Sequence, residues 1–198
     1  HVVPALRRRI VTPFSPTPDL MPARSIPIQR LLLWLSLPLF LLDQATKWWI
    51  VSRFPPPPPH EGFWVIENWF EITRVHNMGV AFGMGNGQPW ANWVFGAISA
   101  TAFIAILVFT SRGFFPGLAG HLAAGLLLAG IPGNLIDRLV HGYVVDFVHM
   151  RLPLYDKIVP SSMGWWPAYN VADACICVAA ALLFISSFAQ DPATKPND

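Results

Sequence analysis

Four long apolar stretches alternate with polar segments along this chain. They cover about residues 31–51, 90–111, 118–140 and 168–189, close to the length of about 20 residues that a helix needs to cross a bilayer. The pattern therefore predicts four transmembrane helices. The first stretch is predicted to be a retained anchor, because it ends in bulky residues and not in a small-residue cleavage site.

The connections between these stretches differ in length. The second and third stretches are joined by a short turn at 112–117, which leaves no room for a functional site. The first connection, about 52–89, contains β-branched and aromatic residues at 63–66 and 69–75, a composition typical of short strands. We expect this connection to form a small sheet on the membrane surface. The third connection, about 141–167, is expected to be irregular.

The composition supports a membrane protein and excludes several other classes. Apolar residues make up 54% of the chain and charged residues 12%, against about 45–50% and about 25% in soluble domains. The mean hydropathy of +0.45 argues in the same direction. The net charge of +2 is too small for the clustered basic face of a nucleic-acid-binding protein, so membrane lipid and not nucleic acid is the expected partner. Cys175 and Cys177 point to different sides of a helix and predict neither a disulfide nor a zinc site.

Charged and aromatic residues predict the orientation of the helices. All tryptophans except Trp34 fall near one side of the membrane, where their rings favour the lipid headgroups. Both termini are expected on the opposite, cytoplasmic side, with residues 1–30 as a poorly ordered extension, 31–189 as the membrane domain and 190–198 as a tail. Met21 is the expected natural start of translation. The cytoplasmic assignment rests on an arginine cluster before the first stretch: Arg7, Arg8, Arg9, Arg24 and Arg30.

Ionisable residues inside apolar helices are costly unless they are paired, so they mark candidate sites. Asp43 and Lys47 lie near the outer end of the first stretch, four residues apart with the acid first. This spacing lets them pair along one helix face. We interpret them as a structural ion pair.

The outer end of the third stretch carries a second polar cluster. Asn134, Asp137 and Arg138 share one helix face. Because Asp137 and Arg138 are adjacent, their side chains diverge and each is expected to find a different partner. Pro132 lacks a backbone donor and is expected to distort the helix just before this cluster.

Two more carboxylates lie near the same side of the membrane, Asp146 after the third stretch and Asp173 at the start of the fourth. Asn170 could be a simple helix N-cap, but together these residues resemble a catalytic acid–base pair. Two close carboxylates share one proton, so the ionised group can activate water while the protonated group polarises a peptide carbonyl. The predicted reaction is peptide hydrolysis with no covalent intermediate, no metal and no cofactor.

These residues are also compatible with two other classes of protein. Carboxylates inside a membrane also serve proton- or cation-coupled transporters, and Asp137, Asp146 and Asp173 would then form the relay. The second and fourth stretches are nearly pure apolar beyond their outer ends, however, so no polar path is expected to cross the membrane. A structural assembly subunit would use the outer tryptophans as a partner surface, but it would leave the polar cluster unexplained.

Four sequence blocks resemble those of the lipoprotein signal peptidase (signal peptidase II) family, the aspartic peptidases of the bacterial inner membrane. A single block would be weak, but four in the family's order are highly specific. One departure is Pro132, which precedes Gly133 where the family usually reads Gly-Gly-x-Leu-Gly-Asn. The blocks are DQATK at 43–47, NMGVAF at 77–82, GNLIDR at 133–138 continuing to VVDF at 144–147, and YNVAD at 169–173.

The resemblance implies an all-α membrane protein with four transmembrane helices and a small extracytoplasmic β-cradle. It implies that Asp146 and Asp173 are the catalytic dyad, near the periplasmic face. The implied substrate is a diacylglyceryl-modified prolipoprotein cleaved just before its lipidated cysteine, and the implied inhibitor is of the globomycin type. Substrate-binding roles are implied for Asn77, Asn134, Arg138 and Asn170, and structural support for Asp43, Lys47 and Asp137.

Overall fold

The computed structural model describes residues 27–57, 61–79, 88 and 90–189. Most of the predicted N-terminal extension, including Met21, and the predicted tail lie outside these ranges. In chain order the elements are α1 (Ile28–Leu31), a π-helical turn (Leu32–Ser36), α2 (Leu37–Arg53), β1 (Gly62–Ile66), β2 (Phe70–Asn77), α3 (Ala91–Ser111), α4 (Gly117–His141), β3 (Val144–Met150), α5 (Tyr155–Ile158), a 3₁₀ turn (Pro160–Ser162) and α6 (Val171–Ala189).

The first predicted span is one helical segment, since α1, the π-helical turn and α2 follow one another without a break. It begins at Ile28, slightly before the predicted start, and ends at the proline run, where the residue before a proline disfavours helical backbone. The hydroxyl of Ser36 donates to the carbonyl oxygen of Gly125, which holds the π-helical turn against α4.

Three helices are long and apolar enough to cross a membrane within the described part of the chain. These are α3, α4 and α6, with mean hydropathies of 2.1, 1.4 and 2.2. The predicted short turn between α3 and α4 is confirmed. Gly113 and Gly117 have φ values of 75° and 69° there, a backbone conformation that favours glycine.

Helix α4 is the most buried of these three and packs against α2, α3 and α6. Glycines permit this packing, because a Cβ on Gly130 would lie 2.5 Å from the carbonyl oxygen of Ala172. A Cβ on Gly133 would lie 2.6 Å from Asp43 Oδ2. Pro132 lies inside α4, and the helix continues past it, so the expected distortion does not end the helix.

The three strands form one antiparallel sheet in the order β1-β2-β3. Strands β1 and β2 confirm the sheet predicted for the first connection. Strand β3 corrects the prediction that the connection 141–167 is irregular, because its first residues form a strand that pairs with β2. The signal was present in the run Val144 to Val148, which is rich in β-branched and aromatic residues.

Strand β3 connects the sheet to the helices. Gly142 ends α4 with φ 80°, a common way for a helix to terminate, and the chain then turns directly into β3. Val145 and Phe147 of β3 form a buried apolar cluster with Ile50 and Phe54 at the end of α2. This packing places the middle of β3 beside the ends of α2, α4 and α6 that carry the polar residues.

Candidate active site

Asp146 lies in the middle of β3 and is only 1% exposed. Both of its carboxylate oxygens accept hydrogen bonds from side-chain amides. Asn77 Nδ2 donates to Oδ2 at 3.0 Å, and Asn170 Nδ2 donates to Oδ1 at 2.8 Å. Asn77 reaches this position because it pairs with Val144 at the end of β2.

Asp173 lies in the first turn of α6. Its backbone N–H donates to Asn170 Oδ1 at 2.9 Å, and its Oδ2 accepts from the backbone N–H of Asn170 at 3.2 Å. This reciprocal pair is a capping box, which satisfies two backbone donors at the start of the helix. Asn134 Nδ2 of α4 donates to Asp173 Oδ1 at 2.7 Å.

The two aspartates are connected through the two asparagines. Asn170 Nδ2 donates to Asn134 Oδ1 at 3.1 Å, and it also donates to Asp146. Asn170 is therefore both a helix N-cap and part of the polar cluster, so the two interpretations of the sequence are compatible. Residues from β3, α4 and α6 form one continuous hydrogen-bonded group.

Burial, followed by the charge of Asp173, raises the pKa of Asp146 well above its usual range. Hydrogen bonds from Asn77 and Asn170 and the charge of Lys47 oppose this rise. A carboxyl group with a raised pKa can retain a proton near neutral pH, which general acid–base chemistry requires.

A buried ion-pair cluster supports the polar group. Lys47 Nζ lies 2.9 Å from Asp43 Oδ2, which confirms the predicted pair, and 3.0 Å from Asp137 Oδ2. It also donates to Asn134 Oδ1 at 2.9 Å. An ammonium group has three donors, so these contacts use all of them.

The carboxylates of this cluster also bind backbone groups. Asp43 Oδ1 accepts from the N–H of Ala172 at 2.8 Å, and Asp137 Oδ2 accepts from the N–H of Val145 at 3.0 Å. These backbone donors directly precede Asp173 and Asp146 in the sequence. The cluster around Lys47 therefore fixes the start of α6 and the start of β3 together.

Arg138 is buried, and it binds different partners from Asp137, as expected from their adjacent positions. Its Nη2 donates to the carbonyl oxygen of Gly79 at 2.7 Å, and Nη1 donates to that of Asn134 at 3.4 Å. Its Nε has no hydrogen-bond partner within the described part of the chain. Arg138 lines a cavity of about 290 Å³ together with Asn77, Asn134 and Asp173. Mostly apolar side chains of α3, α4, β3 and α6 form the other walls.

Residues 35–189 match the sequence model of a known protein family, described as signal peptidase (SPase) II. The polar cluster and its cavity lie within this range. The chain belongs to the signal peptidase II family.

Several relatives of this family are similar over most of the chain. The lipoprotein signal peptidase of Pseudoalteromonas atlantica is 34% identical over 158 residues, which cover 79% of this chain and 88% of that protein. The lipoprotein signal peptidase of Shewanella loihica is 36% identical over 166 residues, which cover 83% of this chain and 88% of that protein.

Two solved structures described as a bacterial membrane enzyme share the fold. One has a TM-score of 0.67 and 28% identity, covering 82% of this chain and 90% of that one. The other has a TM-score of 0.68 and 27% identity, covering 85% and 99%.

Membership of the signal peptidase II family makes the chain a membrane peptidase that removes signal peptides from lipoproteins. Nothing in the comparisons supports a transporter. Within the described residues, no group of three or more histidine, cysteine, aspartate or glutamate side chains is placed to hold a metal ion.

Gln44 of this signal peptidase is a further residue of the polar group, and it was not predicted from the sequence. Gln44 Nε2 donates to Asp43 Oδ2 and to the carbonyl oxygen of Gly133, both at 3.1 Å, so it connects α2 to α4. The available signal was a polar amide beside Asp43 within an apolar stretch, where an unpaired amide would be costly.

Proposed function

We propose that this signal peptidase is an aspartic endopeptidase whose catalytic dyad is Asp146 and Asp173. The observation that carries the proposal is the hydrogen-bonded group that joins these two carboxylates through Asn134 and Asn170, beside a cavity lined by Arg138. The family's activity requires a group that activates water, and paired carboxylates can do so without a covalent intermediate.

In the proposed reaction one proton is shared between the two carboxyl groups. The ionised carboxylate takes a proton from water, and the resulting hydroxide attacks the carbonyl carbon of the scissile peptide. The protonated carboxyl polarises the carbonyl oxygen and then supplies a proton to the leaving amine. Asn134 and Asn170 orient the two carboxyl groups, because each donates a side-chain N–H to one of them.

Arg138 and Asn77 are proposed to bind the substrate backbone. The unpartnered Nε of Arg138 is a buried donor beside the cavity, and it can donate to a peptide carbonyl of the substrate. Such a bond would relieve the cost of an unsatisfied buried donor. Asn134 and Asn170, which donate to the two carboxyl groups, are proposed to contact the same peptide. An inhibitor of the globomycin type is expected to occupy this cavity.

We propose that the first helical segment, from Ile28 to Arg53, is a fourth transmembrane helix and that the sheet is an extracytoplasmic cradle. Asp43 and Lys47, the charged groups in the middle of this segment, are paired inside the protein and are 1% and 3% exposed. The side chains of Leu41 and Leu42 are half exposed and suit contact with lipid. An inner-membrane location with cytoplasmic termini and a periplasmic site follows the charge pattern of the sequence.

The proposed substrate is a prolipoprotein that carries diacylglycerol on the cysteine after the scissile bond. Acyl chains would stay in the bilayer and fix the depth of that bond at the level of the dyad. Each buried methylene contributes about 0.8 kcal/mol to membrane binding. Lipid anchoring can thus replace an extended pocket for substrate side chains.

The test incubates the purified protein with a diacylglyceryl-modified prolipoprotein and with the same protein lacking the lipid. Cleavage just before the cysteine is expected for the first substrate alone. Asp146→Asn and Asp173→Asn should each reduce turnover by about 10²–10⁴-fold, because general acid–base catalysis contributes that much. The double variant should be little worse than either single variant, because the two groups act as a unit.

The matched control is Asp156→Asn, which removes an exposed carboxylate in α5 and should leave turnover unchanged. Near-normal turnover by a folded Asp146→Asn or Asp173→Asn variant would overturn the dyad. Equal cleavage of both substrates would overturn the requirement for diacylglycerol.

A further inference from the structure

A second buried cation, Arg74 of β2, lies where the end of α2 meets the sheet. Its side chain is 7% exposed, and Nη1 donates to the carbonyl oxygen of Phe54 at 2.8 Å and to that of Val51 at 3.2 Å. The last carbonyl groups of a helix lack partners within the helix, and a positive charge is favourable there. Arg74 therefore caps the C-terminal end of α2 from a different element.

The other donors of Arg74 bind two stacked rings. Nε donates to His76 Nε2 at 3.0 Å, and Nη2 donates to the hydroxyl of Tyr143 at 3.3 Å. The rings of His76 and Tyr143 stack with their centroids 3.7 Å apart. Burial, followed by the charges of Arg74 and His141, lowers the pKa of His76 to about 4, so its ring is neutral near pH 7 and can accept this bond.

The residues that Arg74 binds are adjacent in sequence or in the sheet to residues that contact the proposed dyad. His76 pairs with Val145, and it directly precedes Asn77, which donates to Asp146 at 3.0 Å. Tyr143 directly precedes β3, the strand that carries Asp146. The guanidinium group of Arg74 thus joins three parts of the chain: the end of α2, the end of β2 and the start of β3.

We propose that Arg74 is a positioning residue for peptide cleavage, holding Asn77 against Asp146 by fixing the ends of β2 and β3 to the end of α2. The inference rests on the proposed dyad. It adds a residue that lies outside the four sequence blocks of the family resemblance and does not line the cavity.

The effect of Arg74 on the pKa of Asp146 can be distinguished from the effects of the charged groups near that carboxyl. The charged groups that act on this carboxyl are Lys47 from α2, Arg138 from α4 and Asp173 from α6. None of them is a hydrogen-bond partner of Arg74. Because the hydrogen bond from Asn77 lowers the pKa of Asp146, loss of its alignment should raise that pKa.

The experiment compares Arg74→Met, Arg74→Lys and Asn77→Ala with the unchanged enzyme on diacylglyceryl-modified prolipoprotein. Arg74→Met should lower kcat by about 10–100-fold, as expected when a catalytic group is misplaced. The acidic limb of the pH profile should move to higher pH, as it should in Asn77→Ala. Arg74→Lys should recover part of kcat, because one ammonium group can cap α2 but cannot reproduce the planar fork.

The double variant Arg74→Met/Asn77→Ala should have the kcat of Asn77→Ala alone, because the two residues act through one bond. The matched control is Arg53→Met. Arg53 is an exposed arginine at the same end of α2, and its guanidinium group lies over the Phe54 ring. Its kcat and pH profile should stay unchanged. Tyr143→Phe removes one acceptor with little loss of shape, and it should give a smaller decrease in kcat with a shift of the pH profile in the same direction.

If the fold losses of kcat in Arg74→Met and Asn77→Ala multiply in the double variant, the inference is overturned. A lower melting temperature of Arg74→Met with unchanged kcat and pH profile would also overturn it. If Arg74→Met does not fold, an unchanged pH profile in Tyr143→Phe and in Arg74→Lys overturns it. Failure of the proposed dyad is distinguishable, because it would appear as activity in Asp146→Asn.

Discussion

Replacing Gly130 by alanine should separate α4 from α6 and displace Asp173. The Cβ added at Gly130 would lie 2.5 Å from the carbonyl oxygen of Ala172 and 2.9 Å from Ile176 Cγ1. The first contact is backbone and cannot rotate away. Ordinary van der Waals contact begins at 3.4 Å, so the Cβ would be about 0.9 Å too close to this oxygen. The start of α6 must therefore shift by most of that distance.

This shift acts directly on the hydrogen bond between Asn134 Nδ2 and Asp173 Oδ1, now 2.7 Å long. A displacement of most of an ångström would bring the bond close to the limit of useful geometry. Overpacking costs about 1–3 kcal/mol, and the higher helix propensity of alanine offsets up to about 1 kcal/mol of that. We expect a net loss of about 0–2 kcal/mol in stability and about a 10²-fold loss of kcat.

The assay measures turnover of diacylglyceryl-modified prolipoprotein and thermal unfolding in the same detergent. Gly96→Ala in α3 is the matched control, because a Cβ there meets nothing within 4 Å. Its turnover should equal that of the unchanged enzyme. Normal turnover by a folded Gly130→Ala variant would show that the close approach of α4 and α6 does not set the position of Asp173.

Three other predictions concern charge, pH and metal. Lys47→Met should lower the unfolding free energy by about 3–5 kcal/mol, because it leaves Asp43 and Asp137 buried without their cation; a thermal shift near zero would contradict this. The pKa of His76 is lowered to about 4 from 6.5, so the unfolded chain binds more protons between these values and stability should fall as the pH drops from 6.5 to about 4. Because the ring is partly exposed and screened, we expect a loss of about 1–2 kcal/mol. The loss should disappear in His76→Gln, and an equal loss in that variant would assign it to other groups. Cleavage should continue at the full rate after exhaustive chelation, and recovery of lost activity by one added metal would contradict the proposed acid–base mechanism.

Patterns within single elements were readable from the sequence. The lengths of the apolar stretches predicted the long helices, since crossing a bilayer depends on the length and composition of one segment. The spacing of Asp43 and Lys47 predicted their ion pair, because residues four apart are neighbours on any helix. The N-cap function of Asn170 was predictable for the same reason, as it involves only the backbone of the next helical turn.

The tertiary structure alone decided which of these elements meet. The run Val144 to Val148 carried a local strand signal, but its pairing with β2, far away in the chain, could be seen only in the tertiary structure. The family resemblance named Asp146 and Asp173, but spacing could not show that Asn134 and Asn170 join them. The function of Arg74 was not readable at all, because its acceptors come from α2, β2 and the start of β3. Sequence periodicity fixes neighbours along one helix or strand, whereas contacts between elements depend on how their buried surfaces fit together.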